Sequence, residues 1–271
     1  MRRNQQCAPQ TALRPWIADA MGRTAYGTAA TYRIFPNMNY EIFFNFGDHC
    51  VNTSVGKALR PLRTATVFGP KTSCYQHRVG TYTDWFLVQL TPLGARALLG
   101  CPFAALINAD ANLEEVLPDS NKLVDELLKA GDFPARLQIF EHWAWNRLRH
   151  VDTGGRARAL SALHSKMRAL PFGAVDHFAR KLDLGQRQFR NILRDEIGLA
   201  PKELLGLFRI EQAWTTLYLT GSIGEASALY ADHAHFTREF NRFTGMTPIG
   251  YKRLKFSGDT ILNGFNEALQ T

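Results

Sequence analysis

Nowhere in its 271 residues does the chain hold the run of about 18 apolar residues that a membrane-spanning helix requires, so no membrane partner is expected. The opening MRRNQQCAPQT also lacks the apolar stretch of a secretory leader. A cytoplasmic protein is therefore expected. Cysteine is scarce: Cys7, Cys50, Cys74 and Cys101 are the only four, widely spaced and all in the first part. In a reducing compartment they are expected as free thiols. Cys74 and His77 form a C-x-x-H pair and His49 adjoins Cys50, but neither has a matching pair at zinc-site spacing, so no metal ligand set is assigned. Also missing are G-x-S-x-G, H-E-x-x-H, a P-loop and a Gly-rich dinucleotide turn. No catalytic residue and no cofactor are assigned, and the chain is not expected to be an enzyme.

What the chain does have is enough apolar material for two cores, 45% of its residues, and a basic balance that is unevenly placed. Residues 1–155 carry a net +3, residues 156–255 a net +7, and residues 256–271 a net −2. A basic C-terminal half fits counterion-releasing phosphate contacts, although membranes or RNA attract the same charge.

That half also repeats itself. Phe189, Leu193, Gly198 and Pro201 recur as Phe236, Phe240, Gly245 and Pro248, each 47 positions on. A fixed offset signals a duplicated unit. Each unit reads as a short helix, a turn, a second helix and a Gly-x-x-Pro exit. At about 100° per residue, Ile192, Leu193 and Ile197 share the side of Phe189, while Arg187, Asn191 and Arg194 face away. In the second unit Phe240 and Phe243 lie with Phe236, and Ala234, Arg238 and Asn241 face away, with His235, Thr237 and Arg242 on the flanks. Arg pairs with guanine edges or phosphates and Asn with adenine, so these outer faces suit a major groove. A single polar helix face is usually only solvated; two in register ask for more.

With those motifs in view, residues 160–253 resemble the double helix-turn-helix domain of the AraC/XylS family of bacterial transcription regulators. VDHFARKLDLGQRQF, GLAPKEL, LFRIEQAWTTLYL and YADHAHFTREFNRFTGMTP carry the resemblance. It implies that the second helix of each unit enters the major groove of double-stranded DNA, with a rigid helix between the units spacing them along one DNA face. It further implies base reading by Arg187, Asn191 and Arg194, and by Arg238, Asn241 and Arg242. Gln186, Gln188, Arg190, His235 and Thr237 complete the candidate DNA-binding set, with Arg190 and Arg168 expected on phosphates. The family usually has Gly in the turn between the helices; here Asp183 and Leu229 stand there. Leu tolerates a left-handed backbone poorly, so the second unit is expected to be strained or tilted.

The first half reads as strands from 32 to 92 and helices thereafter. YEIFFNF (40–46) alternates Ile42, Phe44 and Phe46 against Glu41, Phe43 and Asn45; WFLVQL (85–90) alternates Phe86, Val88 and Leu90 against Trp85, Leu87 and Gln89. Glu41, Trp85 and Gln89 are second-face residues that could line a pocket. Helices are expected at 94–100, at 120–131 from a Ser/Asn cap, and at 134–150 after Pro134. Leu137, Phe140, Trp143, Ala144 and Leu148 form an apolar stripe on the last, suited to its own core or to a dimer contact. RPW (14–16), RIFPNMNYEIFFNFGD (33–48), VFGPKT (67–72) and FLVQLTPLGARALLG (86–100) resemble, in their order, the N-terminal domain of unassigned function in one branch of AraC/XylS-like regulators.

The expected fold class is α+β: a β-rich N-terminal sensor or dimerisation domain (10–150), a hinge (151–158), an all-α C-terminal domain with two helix-turn-helix units (159–255) and a tail (256–271). The expected partners are double-stranded DNA, a small-molecule effector, a second copy of the chain and, for an activator, RNA polymerase. Two other readings stay open: a thiol- or metal-responsive switch through Cys50, Cys74 or Cys101, and a DNA-repair protein with a similar helix-turn-helix half, which would need an activated cysteine.

Overall fold

The computed structural model describes residues 3–54, 60–100, 103–149, 151, 154–169, 177, 179–180 and 184–257. Its first part is built of strands β1 (Arg3–Cys7), β2 (Ile17–Tyr26), β3 (Ala30–Ile34), β4 (Tyr40–Asn45), β5 (Val51–Ser54), β6 (Arg60–Pro61), β7 (Ala65–Phe68), β8 (Tyr75–Val79), β9 (Tyr82–Leu90) and β10 (Asp110–Asn112). They pair antiparallel in two sheets, ordered β1-β2-β9-β4-β7-β10 and β3-β8-β5-β6.

The alternation along β4 and β9 assigns each face its partner. Phe43, Trp85 and Leu87 join Tyr32, Ile34, Tyr75 and Val79 in the core between the sheets. Ile42, Phe44, Phe86, Val88 and Leu90 turn the other way, onto helices α1 (Pro92–Leu99), α2 (Leu113–Val116), α3 (Asn121–Lys129) and α4 (Phe133–Leu148). The central strands β4 and β9 are thus buried on both faces, as their near-continuous apolar runs require. A bidentate Arg136–Asp84 pair, 2.6 and 2.9 Å, pins α4 to β9, with the guanidinium stacked over Phe46.

Some boundaries differ from the sequence reading. Strands start at residue 3, ahead of the expected domain start, because β1 is a polar edge strand and β2 is rich in Ala and Gly, so neither alternates clearly. The helix expected at 94 starts at Pro92, where the Thr91 side chain accepts the Gly94 N–H. α3 lacks the expected side-chain cap at Ser120. α4 starts at Phe133, with Pro134 inside its first turn and Asp132 as its cap.

The expected hinge is largely helix: α5 runs Gly154–Ala169, so 154–158 belong to it despite their two glycines. After it come α6 (Gln186–Ile197), α7 (Pro201–Thr220), α8 (Ile223–Ser227), α9 (His233–Thr244) and α10 (Pro248–Ser257). Their core gathers Phe189, Leu193, Phe208, Trp214, Phe236, Phe240 and Tyr251, and it also takes in Phe35, Met38 and Cys74 from the first half. A segment read as a flexible joint is thus bridged by packed side chains. Most of the first helix of the first unit, Asp183 in its turn, and the tail beyond 257 lie outside the described residues.

Candidate nucleic-acid interface

α6 and α9 have the same construction. Each runs twelve residues and stops at a glycine in the left-handed conformation, Gly198 at φ +82° and Gly245 at φ +71°. Only glycine adopts that backbone without a Cβ penalty, which explains the Gly-x-x-Pro exits. On α6, Phe189, Leu193 and Ile197 are buried; on α9, Phe236, Phe240 and Phe243 are. Such aromatic and aliphatic anchors each stabilise by about 1.5–3 kcal/mol through burial.

The opposite faces are open. Gln186, Arg187, Gln188, Arg190, Asn191 and Arg194 are all exposed on α6. Arg190 leans back on Gln186 at 3.4 Å, too long to hold it firmly. On α9, Ala234, Arg238, Asn241 and Arg242 are exposed, while His235 and Thr237 are half-buried. Arg242 is partly engaged: it lies 3.4 Å from Glu239 and stacks over Phe243. The His235 ring packs edge-on against Tyr230.

Between these two helices stands α7, twenty residues from Pro201 to Thr220 with a left-handed Gly221 as its cap, about 30 Å long at the usual helical rise. Leu204, Phe208, Ile210, Trp214 and Leu217 bury one side of it. The second unit's first helix, α8, has only five residues, capped by the Ser222 side chain on the Glu225 N–H. Leu229 follows in the turn without positive φ: among the described residues Asn108 is the only non-glycine in that region. The expected backbone strain at Leu229 is therefore absent. Its side chain packs on the core instead. Arg209 on α7 stacks over Tyr230 and ties the turn to the connecting helix. The start of α9 is fixed by Asp232, which accepts the His235 N–H at 2.6 Å; that bond holds the Asp232 carboxyl below its usual range.

Arg168, expected on phosphate, has partners within the molecule. It forms an ion pair with Glu211 on α7, reaches Asn39 in the first half at 3.3 Å, and its carbonyl accepts from Gln212 at 2.9 Å. It is engaged at the seam, with its side chain still 43% exposed. Beside it a cavity of about 340 Å³ opens between the halves, lined by Met38, Asn39, Gln89, Pro92, His164 and Arg168, among others. Of the three second-face residues, Gln89 reaches this cavity and bonds Glu41, whereas Trp85 is core.

The two buried thiols, Cys50 and Cys74, offer little chemistry. Burial pushes Cys50 up to about 11 and Cys74 up to about 12, which leaves both protonated at neutral pH. Among the described residues no group of three His, Cys, Asp or Glu could hold a metal; Cys101 lies outside them. Sequence reasoning missed the seam. Phe35, next to the turn signal Pro36-Asn37, gave no sign that it reaches the far half.

Residues 178–254 match a family described as a helix-turn-helix domain, and residues 5–112 match a domain of unknown function (DUF6597). No curated protein matches. Among solved structures, apo ToxT from Vibrio cholerae is 11% identical, covers 86% of this chain and 97% of its own, and has a TM-score of 0.49. ToxT of the same organism bound to unsaturated fatty acid is 11% identical, with coverages of 96% and 96% and a TM-score of 0.47. The AraC-like transcriptional activator CuxR is 10% identical, with coverages of 79% and 87% and a TM-score of 0.28.

Proposed function

We propose, starting from a chain that ends in an AraC-type helix-turn-helix domain, that the protein is a sequence-specific transcription regulator whose two units both read bases. The observation that supports this most is the pair of twelve-residue helices with the same buried anchors and exposed Arg and Asn on their outer faces. Arg187, Asn191 and Arg194 on α6 and Arg238 and Asn241 on α9 contact base edges. Gln186, Gln188, Arg190, His235, Thr237 and Arg242 flank them, with Arg190 on phosphate.

The functional division we favour places effector sensing or dimerisation in 10–150, with 151–158 as the join, DNA binding in 159–255 and the tail in 256–271. A small-molecule effector would act through the first half, and the seam cavity beside Arg168 is the place to look for it. A homodimer and, for an activator, RNA polymerase complete the partners of this reading; its place of work is the cytoplasm.

The test is selection of bound sequences from a random DNA pool by the full-length protein. Two enriched blocks about one helical turn (~10 bp) apart are expected. A pool that stays random, with or without cell extract as a source of effector, would refute the reading.

A further inference from the structure

We propose that the first half of the chain is itself part of the reading apparatus: it grips both recognition helices at their exit ends and so sets the spacing and tilt with which they meet DNA. The inference rests on the two-reader function above.

Three contacts carry it. At the exit of α6, a Cβ on Gly198 would stand 2.8 Å from the Cα of Ala104, so this turn lies directly against the first half's backbone. At the exit of α9, the Phe243 carbonyl accepts the Cys74 N–H at 3.1 Å. Between them Phe35, 1% exposed, sits 5.7 Å from Trp214 on α7 and 5.3 Å from Tyr251 on α10, and Tyr251 in turn packs 5.9 Å from Phe240 on α9.

The connecting helix fixes how far apart the units are hung, but the lean of each recognition helix depends on what holds its other end. For α9 the path back to α7 is the five-residue α8 and an irregular turn, short elements with little stiffness of their own. The first half supplies the missing restraint. Phe35 is thus a positioning residue for DNA reading, although it lies more than 150 residues from the first reading arginine.

The duplicated exits provide an internal control. Gly198 and Gly245 hold equivalent places in the repeat and share the left-handed backbone, so alanine imposes the same conformational cost on both. Nothing lies within 4 Å of a Cβ at Gly245. Only Gly198→Ala forces the seam apart.

The experiment measures binding of full-length wild type, Phe35→Ala, Gly198→Ala and Gly245→Ala to duplexes that carry the two enriched blocks with the gap varied one base pair at a time, with thermal unfolding checked on each. Wild type and Gly245→Ala should prefer one gap sharply. Phe35→Ala and Gly198→Ala should lose that preference while still binding each block. If Phe35→Ala fails to fold, Phe35→Leu replaces it and should show a weaker loss of the same kind. A gap preference as sharp in Phe35→Ala (or its Leu replacement) and Gly198→Ala as in wild type would overturn the proposal. Failure of wild type to favour any two-block site would instead overturn the reading on which it rests.

Discussion

The two recognition helices are copies in pattern and differ in how they are anchored. α6 starts at Gly185 with no side-chain cap and its exit glycine abuts Ala104 of the other half, while α9 starts on the Asp232 cap and meets the other half through the Phe243 carbonyl, its exit glycine having open space beside it. Their outer faces differ too. α6 presents three exposed arginines, whereas α9 presents Arg238 together with an Arg242 that is already beside Glu239 and Phe243. Duplication preserved what a helix needs in order to pack and to stop; it left the entry cap and the neighbours of each exit free to diverge.

Removing an equivalent anchor from each unit should have the largest effect. Phe189→Ala and Phe236→Ala should each cost about 3–5 kcal/mol of stability, since both rings are fully buried. Denaturant unfolding measures it, and similar losses would show that the two anchors are equivalent. The exits come next. Gly198→Ala and Gly245→Ala should each cost about 1–2 kcal/mol for the left-handed backbone, with Gly198→Ala the worse because of its 2.8 Å approach to Ala104. Equal costs would deny the seam a role in stability.

On the outer faces, Arg187→Ala should weaken specific binding by roughly 1–3 kcal/mol and relax one base position, whereas Arg190→Ala should weaken binding across all sequences and flatten its salt dependence. Titration on matched and mismatched duplexes at two salt concentrations separates the two. The smallest effect belongs to the entry cap. The Asp232 carboxyl is held below its ordinary value of 3.8 by the His235 N–H, so its contribution is fully present above that value and fades as the pH falls through the lower folded one. Asp232→Ala should lower the melting temperature modestly at pH 7, and the gap from wild type should close as the pH drops below about 3.8. Gly185, without a side chain, gives the first unit no counterpart.

Most of the exposed face of α6 and α9 was legible in the chain because it depends on local periodicity. Phe189, Leu193 and Ile197 fall on one side of a 3.6-residue repeat whatever surrounds them, and β4 and β9 reveal their faces by a period of two. Elsewhere the local signal was weak or misleading. Polar β1 and small-residue β2 hide their alternation, and paired glycines made the start of α5 look like a joint. Leu229 looked strained only under the assumption that its turn needs a left-handed residue, and the chain takes a different path there. The seam was out of reach for another reason. Contacts such as Phe35 with Tyr251 or Arg168 with Asn39 join residues far apart in sequence, and no spacing rule connects them.

Whether both units read bases is decided by repeating the random-pool selection with Arg187→Ala and with Arg238→Ala. Each substitution should degrade a different one of two enriched blocks and leave the other intact. Two blocks that both survive Arg238→Ala unchanged would contradict base reading by both units, and would leave α9 as a grip on the DNA backbone beside a single reader.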